Sequence, residues 1–226
     1  MMLKNKNWFI KIRYGQNCGV FDKTFCPGQE RDFIESVESL MSTGKIFKND
    51  KSTTVVKTHF AGKDIVIKRY NYQSLLHAVR HTIKGSRAQK VWKYTKYLID
   101  AGISTPSALC YINTYKHGFY RTSYIIHEFV NAENLVHFIS HKLLDDNASN
   151  RLFTFCDKLK KSFKRHKISH NDLKPANILI NDRQIYLIDL DGMCMHRFHF
   201  HFVHRHNKDL EYIRNRILPD NPPNKN

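Results

Sequence analysis

Four side-chain types able to do chemistry share one short run, His170-Asn171-Asp172-Leu173-Lys174-Pro175-Ala176-Asn177, and Ile188-Asp189 follows a short turn later. Asp172 can take or orient a hydroxyl proton. Lys174 sets a cation two residues on, and Asn177 brings an amide oxygen three residues beyond that. Amide and carboxylate oxygens suit a hard divalent cation, which makes Asn177 and Asp189 candidate Mg²⁺ ligands. A cation near the transferring group, a metal to neutralise charge and one oriented nucleophile are what phosphoryl transfer requires. Asp191 is placed to assist the metal or to fix the loop. Taken singly, an Asp is more often a helix cap and an Asn a turn residue. The combination with His170, Lys174 and a downstream Ile-Asp is what points to chemistry.

A hairpin has to carry Asp189 to the loop. Ile178–Ile180 pairs with Ile185–Ile188 across the turn at residues 181–184, and a helix near 147–166 leads into the loop. Upstream the pattern is rich in strands. Residues 8–21 alternate and turn at Gly15 and Gly19. Phe33, Ile34, Val37, Leu40 and Met41 fall at helical spacing within 29–42, ending at Gly44. Strands near 45–48, 53–60 and 64–70 follow, then helices near 73–84 and 87–101, the second capped by Ser86 and closed by Gly102. A sheet segment from Pro106, a hairpin at 116–118, a strand over 119–130, a short helix near 134–142 and a last helix near 207–217 complete the expectation.

Lys68, at the end of the third strand of this group, is the candidate for gripping nucleotide phosphates. The loop at 49–53 is expected to cover them through backbone N–H groups and the Ser52 and Thr53 hydroxyls, although it holds no glycine. The polar stretch from Glu128 to Asn134 marks the domain boundary, where a nucleotide base would lie against backbone. Between Asp64 and Asp100 there is no acidic residue, so no glutamate on the helix at 87–101 can orient Lys68. Gln89 is the nearest neutral candidate, with Glu35 and Glu38 as distant ones.

The same interval holds Lys68, Arg69, Arg80, Lys84, Arg87, Lys90, Lys93 and Lys96. With a net charge of +17, the chain is expected to meet an anionic partner. Charge alone does not choose between a membrane, a phosphorylated substrate and nucleic acid. His77, Arg80, His81 and Lys84 would share one helical face. The run from Lys158 to Arg165 reads equally as a substrate contact or a solvated helix end. His196, His199, His201, His204 and His206 read as surface, or as a contact for phosphate or membrane, because their mixed spacing fits no single metal face. Five scattered cysteines are read as reduced thiols. Neither a secretory leader nor a membrane-spanning run is expected.

The order of elements is that of an α+β, two-lobed protein-kinase-like fold, with an antiparallel-sheet N-lobe over 1–130 and a reduced helical C-lobe over 131–226. The loop has the kinase pattern H-x-D-x-x-x-x-N. Ile67-Lys68-Arg69-Tyr70, Leu75-Leu76-His77-Ala78, Gly85-Ser86-Arg87-Ala88, Trp92, Ala101-Gly102-Ile103-Ser104-Thr105-Pro106 and Leu187-Ile188-Asp189-Leu190-Asp191 resemble the lipopolysaccharide kinase (Kdo/WaaP) family from about Gly44 to Ile217. One departure is Lys90-Val91-Trp92, where family members often carry Arg-Glu-Trp.

The resemblance implies ATP- and Mg²⁺-dependent phosphorylation of a Kdo or heptose hydroxyl in the lipopolysaccharide inner core. It places the protein at the cytoplasmic face of the bacterial inner membrane, in peripheral contact with an anionic surface. The 37 residues after Asp189 leave little room for a peptide-holding segment, which favours a small or lipid-borne acceptor. Nucleic acid is not expected as a partner on this reading, and no protein partner is inferred. The rivals are a small-molecule kinase of the aminoglycoside or choline type and a non-catalytic, kinase-like protein that docks on lipid or nucleic acid.

Overall fold

In the computed structural model, residues 8–71, 85–116, 118–141 and 145–213 are described. The chain forms two compact units. One comprises Met1–Lys96 with Ser107–Phe129, the other Tyr97–Pro106 with Val130–Asn226. The second unit thus takes in a short excursion at 97–106 as well as the residues after 129. The expected helix at 73–84, with His77, Arg80, His81 and Lys84, lies outside the described residues.

Mixed helix and antiparallel sheet make up the fold. In the first unit β1 (Phe9–Tyr14), β2 (Asn17–Asp22), β3 (Lys45–Asn49), β4 (Thr53–Phe60), β5 (Lys63–Asn71), β6 (Ala108–Lys116) and β7 (Phe119–Glu128) form one sheet, in the order β1-β2-β6-β7-β5-β4-β3. Strand pleating sends alternate residues to opposite faces. Phe21, Val56, Ile67, Cys110 and Ile126 meet α1 (Glu30–Thr43) through Phe33, Ile34, Val37 and Met41. Those four helix positions repeat at the period that gives a helix one apolar face. On the other face Trp92 of α2 (Arg87–Asp100) packs edge-on against Phe9 at 5.3 Å and Tyr111 at 5.7 Å between ring centres. Ser86 caps α2 as expected, its hydroxyl accepting the Gln89 N–H at 3.0 Å. Gly19 departs from expectation. It lies within β2, paired with Ile12 and Ile112, and the turn is at Gly15-Gln16. The Phe21 ring fills the space a Cβ at Gly19 would take.

Among the described residues, the second unit contains α3 (Leu135–His141), α4 (Asp146–His166) and α5 (His199–Tyr212), and β8 (Glu133–Asn134) and the four short strands after it make three antiparallel pairings. Asp145 caps α4 by accepting the Ala148 N–H at 2.6 Å, and Lys167, left-handed at φ 52°, closes it. Leu152, Cys156, Leu159 and Phe163 form its buried stripe. The hairpin of β10 (Ile178–Ile180) and β11 (Ile185–Leu187) has the expected register, Ile178 opposite Leu187. Asn181 ties its turn by accepting the N–H groups of Arg183 and Gln184.

The last helix differs from expectation: α5 begins at His199, so most of the histidine-rich run is helical rather than loop. Its buried positions Phe202, His206 and Asp209 are spaced four and three apart. Two of the three are polar, which hides the periodicity from a count of apolar residues.

Candidate active site

The catalytic run leaves α4 through β9 (Ile168–Ser169), which pairs with β12 (Cys194–Met195). It then turns sharply at Asn171, whose φ of 65° is left-handed. Asp189 has the same backbone conformation, with φ 58°. Left-handed backbone costs a residue with a Cβ about 1–2 kcal/mol, least for Asn and Asp, whose short polar side chains bond locally. The fold holds both residues there by hydrogen bonding around them.

Asp172 sits at the centre. Its carboxylate accepts from Lys174 Nζ at 3.1 and 2.8 Å and from Asn177 Nδ2 at 3.1 Å. The same Asn177 nitrogen donates to the Asp172 carbonyl at 2.8 Å. The bond to Asp172 is the main cause holding the Lys174 ammonium above the usual lysine range. Both members of this ion pair are about half exposed, so water weakens it. Its role is to fix direction rather than to add stability. With the amide nitrogen of Asn177 committed to two acceptors, the oxygen is the atom left to face a cation. That orientation fits a hard metal, which takes oxygen and not N–H.

Asp189 reaches this cluster through its predecessor. Ile188 donates its N–H to the Asn177 carbonyl at 2.9 Å and accepts from His170 Nε2 at 3.2 Å. His170 is fully buried, and burial holds its imidazole below the ordinary histidine value. It therefore acts as a neutral strut between the loop and the backbone just before Asp189. Asp191 follows in a single 3-10 turn, Leu190–Gly192. Gly192 passes so close to the loop that a Cβ there would lie 2.8 Å from the His170 carbonyl oxygen. Its own carbonyl accepts from Asn171 Nδ2 at 2.8 Å.

Asp209, on α5, is the functional residue that sequence reasoning missed. Its carboxylate accepts the backbone N–H of His170 at 2.6 Å and of Asn171 at 3.1 Å, clamping the two residues before Asp172. It is 2% exposed. Burial pushes its carboxyl up to about 6, outweighing the two N–H donors and Arg205, which pull it down. The available signal was its place seven residues after Phe202 and three after His206, on one helical stripe.

Lys68, Ser52, Thr53 and Glu128 belong to the first unit. Lys68 lies on β5 opposite Val55 and Ile125, its ammonium 5.4 Å from the Tyr70 ring centre. Glu38 is not its partner: it faces the other side of the sheet, bonded to Arg69 at 2.8 Å and to the Tyr124 hydroxyl. Glu35 is engaged with Tyr14. The Gln89 side-chain oxygen lies over Gly85. Asp50 collects the N–H groups of Ser52 and Thr53, both at 2.8 Å, and the Ser52 hydroxyl at 2.9 Å. Those two amides, expected to cover phosphate, are thus taken by a carboxylate, which Lys48 and these donors hold below the usual range. Glu128 turns its carboxylate to the Ser107 N–H at 3.0 Å. Arg87 stacks over the Tyr70 ring, 4.5 Å from its centre.

A base-type carboxylate, a cation and an oriented amide gathered on one loop, with a second carboxylate held next to it, suit transfer of a phosphoryl group. The fold agrees. A solved structure described as WaaP in complex with acyl carrier protein matches with a TM-score of 0.57 and 17% identity, over 83% of this chain and 77% of that chain. The fold is therefore kinase-like. The model of the lipopolysaccharide kinase (Kdo/WaaP) family matches residues 41–224, and the chain belongs to that family. No curated protein matches it.

Proposed function

We propose that the protein transfers the terminal phosphoryl group of ATP to a hydroxyl of a Kdo or heptose residue in the lipopolysaccharide inner core. The observation that carries this reading is the Asp172–Lys174–Asn177 cluster, set beside Asp189 in a member of a lipopolysaccharide kinase family. The acceptor oxygen attacks the terminal phosphorus, the bond to the nucleoside diphosphate oxygen breaks, and the hydroxyl proton passes to Asp172. Lys174 neutralises charge on the moving group. Asn177 and Asp189 would hold Mg²⁺, with Asp191 beside them. Bound there, the metal supplies charge neutralisation on the phosphate oxygens. Lys68 would grip the nucleotide phosphates, so that the first unit serves as the N-lobe and the second as a reduced C-lobe.

Peripheral contact with the cytoplasmic face of the inner membrane suits a net charge of +17 and a lipid-borne acceptor. Among the described residues no helix is long and apolar enough to cross a membrane. The solved relative is described with acyl carrier protein, which makes a carrier protein a candidate partner where sequence reasoning inferred none. Incubation with labelled ATP and purified lipopolysaccharide core, followed by mass analysis, tests the activity. One added phosphate on a core sugar is the expected product. Label retained entirely in nucleotide, at enzyme concentrations that saturate with ATP, refutes it.

A further inference from the structure

Beside the catalytic loop the second unit holds a pocket of about 570 Å³ that no step above uses. Asn171, the residue before Asp172, forms part of its wall. His196, Phe200, His201, His204 and Arg205 supply most of the rest, and none of the described residues that line it is acidic. Its volume lies in the range of small-molecule sites. The chemistry of the wall is narrow. Arg205 offers a planar fork that matches a carboxylate or phosphate with two parallel bonds. Three imidazoles add further donors. Phe200, 80% exposed, presents an aromatic ring to whatever enters.

An exposed ring is costly in water and useful against the C–H face of a sugar. Three imidazoles and a guanidinium in one concavity repel one another when charged, and an anion removes that penalty. His196 already feels it. Burial first, then His201 and Arg205, hold its imidazole below the ordinary histidine value, while its Nε2 shares a 2.7 Å bond with Ser169 Oγ.

We propose that this pocket is the acceptor subsite, binding a sugar ring through Phe200 and that ring's carboxylate or phosphate through Arg205, His201 and His204. The inference rests on the phosphoryl-transfer reading for its purpose, and on the pocket alone for its chemistry. Asn171 in its wall directly precedes Asp172, so the pocket flanks the loop that carries the proposed base.

Binding can be measured without nucleotide on the full chain, by NMR or calorimetry, with free Kdo as a carboxylate sugar, glucose 6-phosphate as a phosphate sugar and glucose as the neutral control. Kdo or glucose 6-phosphate should bind and glucose should not, and which of the two binds tells carboxylate from phosphate. Arg205→Gln, and separately His201→Gln with His204→Gln, should weaken that binding about tenfold or more, the worth of a charge-assisted bond. Phe200→Ala should weaken it several-fold. These surface changes on α5 should leave the melting temperature near that of the wild type. In turnover with lipopolysaccharide core they should raise KM and leave kcat within a few-fold. Wild-type affinity in both cationic variants overturns the subsite, and if the wild type still phosphorylates core the proposed function stands. Conversely, sugar-anion binding that these variants abolish, in a wild type that never transfers phosphate, supports the pocket and removes the kinase reading.

Discussion

Removing the Asp209 carboxylate gives the sharpest test of how the catalytic loop is held. Asp209→Ala strips the acceptor from two backbone N–H groups, one on fully buried His170 and one on Asn171, a residue open to water. A buried donor left without a partner costs about 1–3 kcal/mol, whereas a donor that water can reach costs at most about 1. The sum is about 1–4 kcal/mol, which in a chain of this size lowers Tm by roughly 2–16 °C.

The cost should depend on pH, with a definite sign. The folded-state carboxyl is raised to about 6, above its unfolded value near 4. Its stabilising contribution is therefore full below about pH 4 and is lost as pH rises through 6. The deficit of Asp209→Ala should be larger at pH 5 than at pH 7.5, by about 1 kcal/mol. Asp209→Asn keeps one acceptor oxygen and should lose about half as much as the alanine variant. Urea melts at the two pH values measure the deficit. Amide hydrogen exchange at His170 locates it, with protection expected to fall on the order of a hundredfold. Unchanged exchange at His170 together with an unshifted Tm would show that the clamp does not hold the loop.

Asp172→Asn should retain the fold and nucleotide affinity while turnover falls by about two to four orders of magnitude, checked by steady-state assay; unchanged turnover removes Asp172 from the chemistry. Gly192→Ala drives a Cβ into the His170 carbonyl and should destabilise by about 1–3 kcal/mol, read by chemical denaturation. Glu38→Gln should leave the thermal shift given by Mg²⁺ and ATP intact, because its partners are Arg69 and Tyr124, while Lys68→Ala should abolish it. A matching loss in both variants would make Glu38, not a neutral group, the support of Lys68.

The catalytic run and its hairpin were legible because their signals are local. The apolar runs at 178–180 and 185–187 flank a turn whose Asn181 bonds the N–H groups two and three residues on, and Asp172 meets Lys174 and Asn177 within five residues. What stayed hidden is long-range or polar. Asp209 looks like one more surface acid in Lys208-Asp209-Leu210-Glu211 until its 39-residue reach to His170 is seen. The histidine helix escaped because His206 and Asp209 occupy buried positions that apolar side chains usually fill. Asp50 was readable, since an Asp two and three residues before Ser and Thr tends to bond their N–H groups.

The clamp from α5 also has a consequence for how the site is made. Every residue of the catalytic motif has left the ribosome well before Asp209 does, since synthesis runs from the N-terminus. Until Asp209 arrives, the N–H groups of His170 and Asn171 have only solvent to bond, and the left-handed turn before Asp172 lacks its anchor. A chain stopped just after Met195 would contain the whole motif by any reading of its letters, and would carry it on a loop without the clamp on its two leading N–H groups.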